Sequence, residues 1–111
     1  MPFSTLQFLS ADTQQTSITY SLLSAETTFP RAAAQGYYVN IAAATTVTLP
    51  ASPLNGDSII LETISAMATN NLTVARNGNT IGALAENLVI DTTGTRAELV
   101  YFNGDWKVYL T

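Results

Sequence analysis

The run AELVYFNGDWKVYL, residues 97–110, constrains this chain more than any other stretch. Asn103-Gly104 stands between two segments rich in aromatic and β-branched residues. A two-residue type I′ turn needs positive φ at both central positions, and Asn followed by Gly tolerates this best. Closing the chain there predicts Phe102 opposite Asp105, Tyr101 opposite Trp106, Val100 opposite Lys107, Leu99 opposite Val108 and Glu98 opposite Tyr109. One face then carries Leu99, Tyr101, Trp106 and Val108. The other carries Glu98, Val100, Lys107 and Tyr109, with Glu98 and Lys107 placed diagonally for attraction.

The triplet Asn-Gly-Asp occurs a second time at residues 55–57, and a third Asn-Gly pair stands at Asn77-Gly78. Calcium loops gather several oxygen ligands at close spacing. Each triplet here offers one Asp followed directly by strand residues, so both read as turns whose acids, Asp57 and Asp105, face water. No metal site is expected.

Between these turns the pattern is that of short strands. In TTVTL, Thr45, Val47 and Leu49 share one face, and Pro50 and Pro53 end the segment because proline donates nothing to a ladder. In SIILETI, Ile59, Leu61 and Thr63 share one face; Ile60, Glu62 and Ile64 share the other, where Glu62 points outward and the isoleucines call for cover by a neighbouring element or subunit. NLTVAR turns Leu72 and Val74 inward, and NLVID turns Leu88 and Ile90 inward. Turn residues every 8–15 positions indicate an all-β domain. Upstream, SITYSLL has the character of a strand, and SAETTF suits either an extended run or a short helix capped by Ser24.

Composition narrows the chemistry. There is no His and no Cys, which removes imidazole acid–base catalysis, thiol nucleophiles, disulfides and the usual zinc ligands. Charged residues make up 11% of the 111 positions, against about 25% in ordinary soluble domains. The four basic residues are scattered and the net charge is −4, so nucleic acid is not an expected partner. The longest Ala-rich run is broken by Thr and stopped by Pro50, too short to span a bilayer, so no membrane is expected either. Yet 47% of residues are hydrophobic, which for a small domain suggests surface covered by other protein. Isolated acids such as Glu62, Glu86 and Glu98 show no spacing that singles out a glycosidase pair. Tyr37, Tyr38, Tyr101, Trp106 and Tyr109 suit either core and subunit contact or a sugar-stacking platform, the former being preferred. No enzyme, catalytic residue or cofactor is expected.

From Thr45 to Leu110 the chain resembles small trimeric β modules of bacteriophage tail fibres, tailspikes and virion-decorating proteins. The likeness rests on an ordered set: the TVTLP strand, a Pro-rich loop ending in Gly56-Asp57, the SIILETI strand, NLTVARNGNTIG, LVID, and the ELVY…WKV hairpin. The resemblance implies three chains packed about a threefold axis, with apolar faces shared between subunits. It therefore implies a small, prism-like β domain. Residues 1–30, rich in Ser, Thr and Gln and without Gly, read as an extended N-terminal arm that gains order against partners. Pro30 and then Gly36 mark the passage into an all-β, small antiparallel sandwich or prism-like domain over residues 31–111. A chain of this length that opens with Met leaves room for neither a long fibre shaft nor a large head. The expected function is thus a homotrimeric capsid decoration, or cement, protein on the capsid exterior, whose partner is the major capsid protein. Phe3, Leu6, Phe8, Leu9 and Tyr20 are the expected capsid contacts. Tyr38, Ile60, Ile64 and Tyr109 are the expected subunit interface or, in the alternative reading, a platform for host cell-surface glycan on a tail-fibre module.

Overall fold

The structure, a computed structural model, describes residues 18–111. These residues fold into ten strands: β1 (Tyr20–Leu23), β2 (Thr27–Thr28), β3 (Gln35–Val39), β4 (Thr45–Thr48), β5 (Ser58–Thr63), β6 (Leu72–Ala75), β7 (Thr80–Ile81), β8 (Leu88–Ile90), β9 (Arg96–Phe102) and β10 (Asp105–Leu110). No helix occurs among the described residues. Six strands form one sheet in the order β1-β3-β5-β9-β10-β7, and four form a second in the order β2-β4-β6-β8.

The first six strands alternate between the two sheets, so the chain winds as a coil. β1, β3 and β5 lie parallel in one wall, and β2, β4 and β6 lie parallel in the other. The parallel pairs need crossovers, and here each crossover is a strand of the opposite wall. The last strands reverse this sense: β8 runs antiparallel to β6, and β9 antiparallel to both β5 and β10. The architecture is therefore solenoid-like with mixed sheets, which corrects the expected antiparallel sandwich. Period-two alternation says which side chains share a face but is silent on strand direction.

Both walls turn their alternate apolar residues inward. Val47, Leu49, Leu72, Val74 and Ile90 from one wall meet Val39, Ile59, Leu61, Ala97, Leu99 and Trp106 from the other. Full burial of each large aliphatic side chain is worth about 1.5–3 kcal/mol, so this interior is the main source of stability. Leu23 and Phe29 also join it. Tyr20 to Phe29 thus belongs to the folded body as β1, β2 and a core residue, where the sequence suggested an arm. SAETTF contributes strand β2 in place of a helical turn. Residues 1–17, with Phe3, Leu6, Phe8 and Leu9, lie outside the described residues.

The final hairpin has the register expected from Asn103-Gly104: Trp106 faces Tyr101, Val108 faces Leu99 and Tyr109 faces Glu98. Both turn residues take positive φ, 48° at Asn103 and 85° at Gly104. Trp106 is fully buried and packs its ring 5.3 Å from that of Tyr101. The ion pairs differ from the expected Glu98–Lys107 attraction. Lys107 bonds Asp105 at 3.0 Å, two residues along its own strand, while Glu98 lies 3.6 Å from Arg96.

Candidate interaction surface

The outer face of the six-stranded sheet gathers the largest set of side chains that can meet another molecule. Register places Tyr20, Gly36, Ile60, Glu98 and Tyr109 in one row across β1, β3, β5, β9 and β10. Leu22, Tyr38, Glu62 and Arg96 form the adjacent row. Tyr20 stacks on Tyr38 with ring centroids 4.8 Å apart. Gly36 makes that stack possible: a Cβ there would lie 3.0 Å from the Tyr20 ring and 3.1 Å from Ile18.

Beside the stack, Arg96 lies between two carboxylates, 3.9 Å from Glu62 and 3.6 Å from Glu98. The Tyr20 phenol is held above its ordinary pKa, first by burial and then by the neighbouring Glu62 carboxylate, with Arg96 opposing. Leu22, Tyr38, Ile64 and Tyr109 remain exposed around this cluster, at 63%, 42%, 53% and 57%. The face therefore has an aromatic and aliphatic rim around a polar centre.

Of the four residues expected at an interface, register puts Tyr38, Ile60 and Tyr109 on one face, while Ile64 follows directly after β5 and is exposed. Ile60 differs from the others, being only 2% exposed, so it supports the face from beneath. Tyr20, expected among the arm contacts, stands on the same face. Leu22, Glu62, Arg96 and Glu98 complete it. Their convergence depends on the parallel β1-β3-β5 pairing, which leaves no local signal in the sequence. Trp106 and Tyr101 face inward, which removes the tryptophan from any sugar platform. Tyr37 also faces inward and packs at 4.9 Å on Phe29.

Glu62 and Glu98 come together, as a glycosidase pair would, but both share Arg96 on an open sheet face. Glu86 does not join them and is exposed before β8. Two shallow recesses, about 120 and 230 Å³, lie elsewhere and contain one acid each, Asp91 and Glu26. Among the described residues no group of three metal-ligating acids is assembled. The outer face of the four-stranded sheet is of another kind: Thr28, Thr46, Thr48, Thr73, Ala75 and Val89 carry no charge.

The two Asn-Gly-Asp acids do not face water. Asp57 is 2% exposed and accepts two hydrogen bonds from Arg31, at 2.8 and 3.0 Å, and a third from the Leu54 amide at 2.9 Å. Asp105 accepts from the Thr80 hydroxyl at 2.6 Å, the Ala83 amide at 2.8 Å and Lys107 at 3.0 Å. The Thr80 hydrogen bond, helped by the Ala83 and Lys107 contacts and opposed by burial, holds the Asp105 carboxyl below its usual pKa. Both acids are anchors that tie remote segments to the turns. By alternation Asp105 shares the outer side of β10 with Lys107 and Tyr109, at the far end of the strand from the tyrosine.

No family model matches the chain, and no curated protein matches it in sequence.

Proposed function

We propose that this chain is a non-catalytic structural protein of a bacteriophage particle, a homotrimeric decoration protein that binds and stabilises the capsid exterior. The observation that carries the reading is the outer face of the six-stranded sheet. Leu22, Tyr38, Ile64 and Tyr109 stay exposed on a chain that is short of charge. Exposed large apolar side chains grouped on one face mark an interaction surface, and aromatic residues with Arg are the types enriched at such contacts. Three attached arms would bind a shell with avidity, since after the first engages the others are held at high local concentration.

The arm is tested by deleting residues 1–17, which removes Phe3, Leu6, Phe8 and Leu9 but leaves β1 intact. The shortened protein should keep its fold and fail to co-sediment with capsids. Undiminished co-sedimentation would refute the assignment of these residues as capsid contacts.

A second reading has its own support. The Tyr20–Tyr38 stack, Tyr109 and the Glu62–Arg96–Glu98 cluster together offer ring faces and hydrogen-bonding groups suited to a sugar, as a tail-fibre module would require. Saturable glycan binding abolished by Tyr109→Ala would favour this adhesin function. A glycan array without a ligand would count against it.

A further inference from the structure

The third use of Asn-Gly is chemical. We infer that Asn103 is a site of self-catalysed deamidation and isoaspartate formation, that the Asn55 carboxamide assists the reaction, and that Asn55 is itself spared. In this reaction the backbone nitrogen of the following residue gives up its proton to solvent base and attacks the Asn side-chain carbon. The carbon–nitrogen bond of the carboxamide breaks and ammonia leaves, forming a succinimide. Water then opens the ring at either carbonyl, yielding aspartate or isoaspartate. A following Gly favours the attack because it has no side chain to obstruct ring closure.

Sequence alone ranks Asn55-Gly56, Asn77-Gly78 and Asn103-Gly104 alike, but their surroundings differ. The Gly56 amide, the nucleophile for Asn55, is held by the Tyr101 carbonyl at 2.8 Å. That hydrogen bond must break before Gly56 can react. The Gly104 amide donates no hydrogen bond among the described residues. It is therefore open to solvent base.

The Asn103 carbonyl is also activated. Asn55 Oδ1 accepts the Asn103 backbone N–H at 2.9 Å, which fixes how the Asn55 amide is turned. Its Nδ2 is thereby presented to Asn103 Oδ1, at 3.1 Å. A fixed donor on the oxygen that gains charge as the nitrogen attacks stabilises the tetrahedral intermediate. Asn77 has no such donor among the described residues; its own Nδ2 is tethered to the Leu49 carbonyl at 2.9 Å. The geometry thus makes an unequal pair, one amide reacting and the other assisting. Isoaspartate at position 103 would add a backbone atom to the two-residue turn and end the amide pair.

The test ages the intact full-length protein at mildly alkaline pH, in buffer and in denaturing urea. Peptide mapping then follows acid and isoaspartate at each Asn-Gly. In buffer, Asn103 should convert first and Asn55 should persist; in urea the three should convert at similar rates. Asn55→Asp keeps the oxygen that accepts the Asn103 N–H but removes the donor, and should slow conversion at Asn103 several-fold. Conversion of Asn55 in buffer at the rate of Asn103 would overturn the inference, and so would an unchanged Asn103 rate in Asn55→Asp. The wild-type comparison stands even if the variant folds poorly.

Discussion

Asn55-Gly56-Asp57 and Asn103-Gly104-Asp105 are identical triplets in touching turns, yet the fold uses them differently. In the second, both Asn103 and Gly104 take positive φ and close a two-residue hairpin. In the first, only Gly56 does, at 92°, and Asn55 keeps an ordinary backbone. Asp57 is fastened to Arg31, which precedes β3 in the chain. Asp105 is fastened to Thr80 and Ala83, and so to β7 and the turn after it. The same letters thus serve two jobs: one staples the start of the coil to the central strand β5, the other staples β7 to β10. Local backbone demands explain Asn and Gly, whereas only long-range pairing explains Asp.

Asp57→Ala should have the largest effect among variants that break this comparison. It removes three hydrogen bonds and leaves the Leu54 amide unpaired, while Arg31, about half exposed, can rehydrate. A loss of about 2–3 kcal/mol in urea unfolding is expected, below the full cost of breaking a wholly buried pair. The next test contrasts Asn103→Val with Asn55→Val. Asn103→Val removes one of the two hydrogen bonds between the turns and leaves the Asn103 N–H on Asn55 Oδ1, whereas Asn55→Val removes both, so a larger loss at position 103 can come only from the backbone. A β-branched residue at positive φ is strained, so about 2 kcal/mol is expected at position 103 and about 1 kcal/mol or less at position 55. Equal losses would show that the hydrogen bonds matter more than φ.

Asp105→Asn should have the smallest effect at neutral pH, about 1 kcal/mol, because the amide oxygen still accepts from Thr80 or Ala83. Its signature is in the pH dependence. The folded pKa of Asp105 lies below that of the unfolded chain, so the unfolded chain binds more protons in that interval. Its stabilisation is complete above the unfolded value and is lost as pH falls through the lower folded one. Wild-type protein should therefore lose stability in acid more steeply than Asp105→Asn. Parallel acid profiles in thermal melts would exclude Asp105 as a contributor.

The same division between local and remote causes governs what could be read from the sequence. Asn103-Gly104 fixed the register of β9 and β10 because the turn and the alternation of Leu99, Tyr101, Trp106 and Val108 are contained within one short segment. The inward faces of β4, β5 and β6 were legible for the same reason. The coil was not, since β1, β3 and β5 are joined through strands of the opposite wall and pair with no adjoining turn to set direction. That hid the meeting of Tyr20, Leu22, Tyr38 and Arg96 on one face. The burial of Asp57 was hidden likewise, because an acid after Asn-Gly reads as solvated until its remote arginine is placed. Tyr38, Ile60, Ile64 and Tyr109 could be named as an expected interface, Ile64 and Tyr109 from the polar side of their strands, but the rows that join such residues to Tyr20, Leu22 and Arg96 could not.

The proposal that the exposed tyrosine face belongs to an assembling protein is tested most directly by the mass of the full-length chain in solution. Light scattering across a dilution series should return the mass of three chains, stable to dilution. A mass of one chain at every concentration would contradict the account.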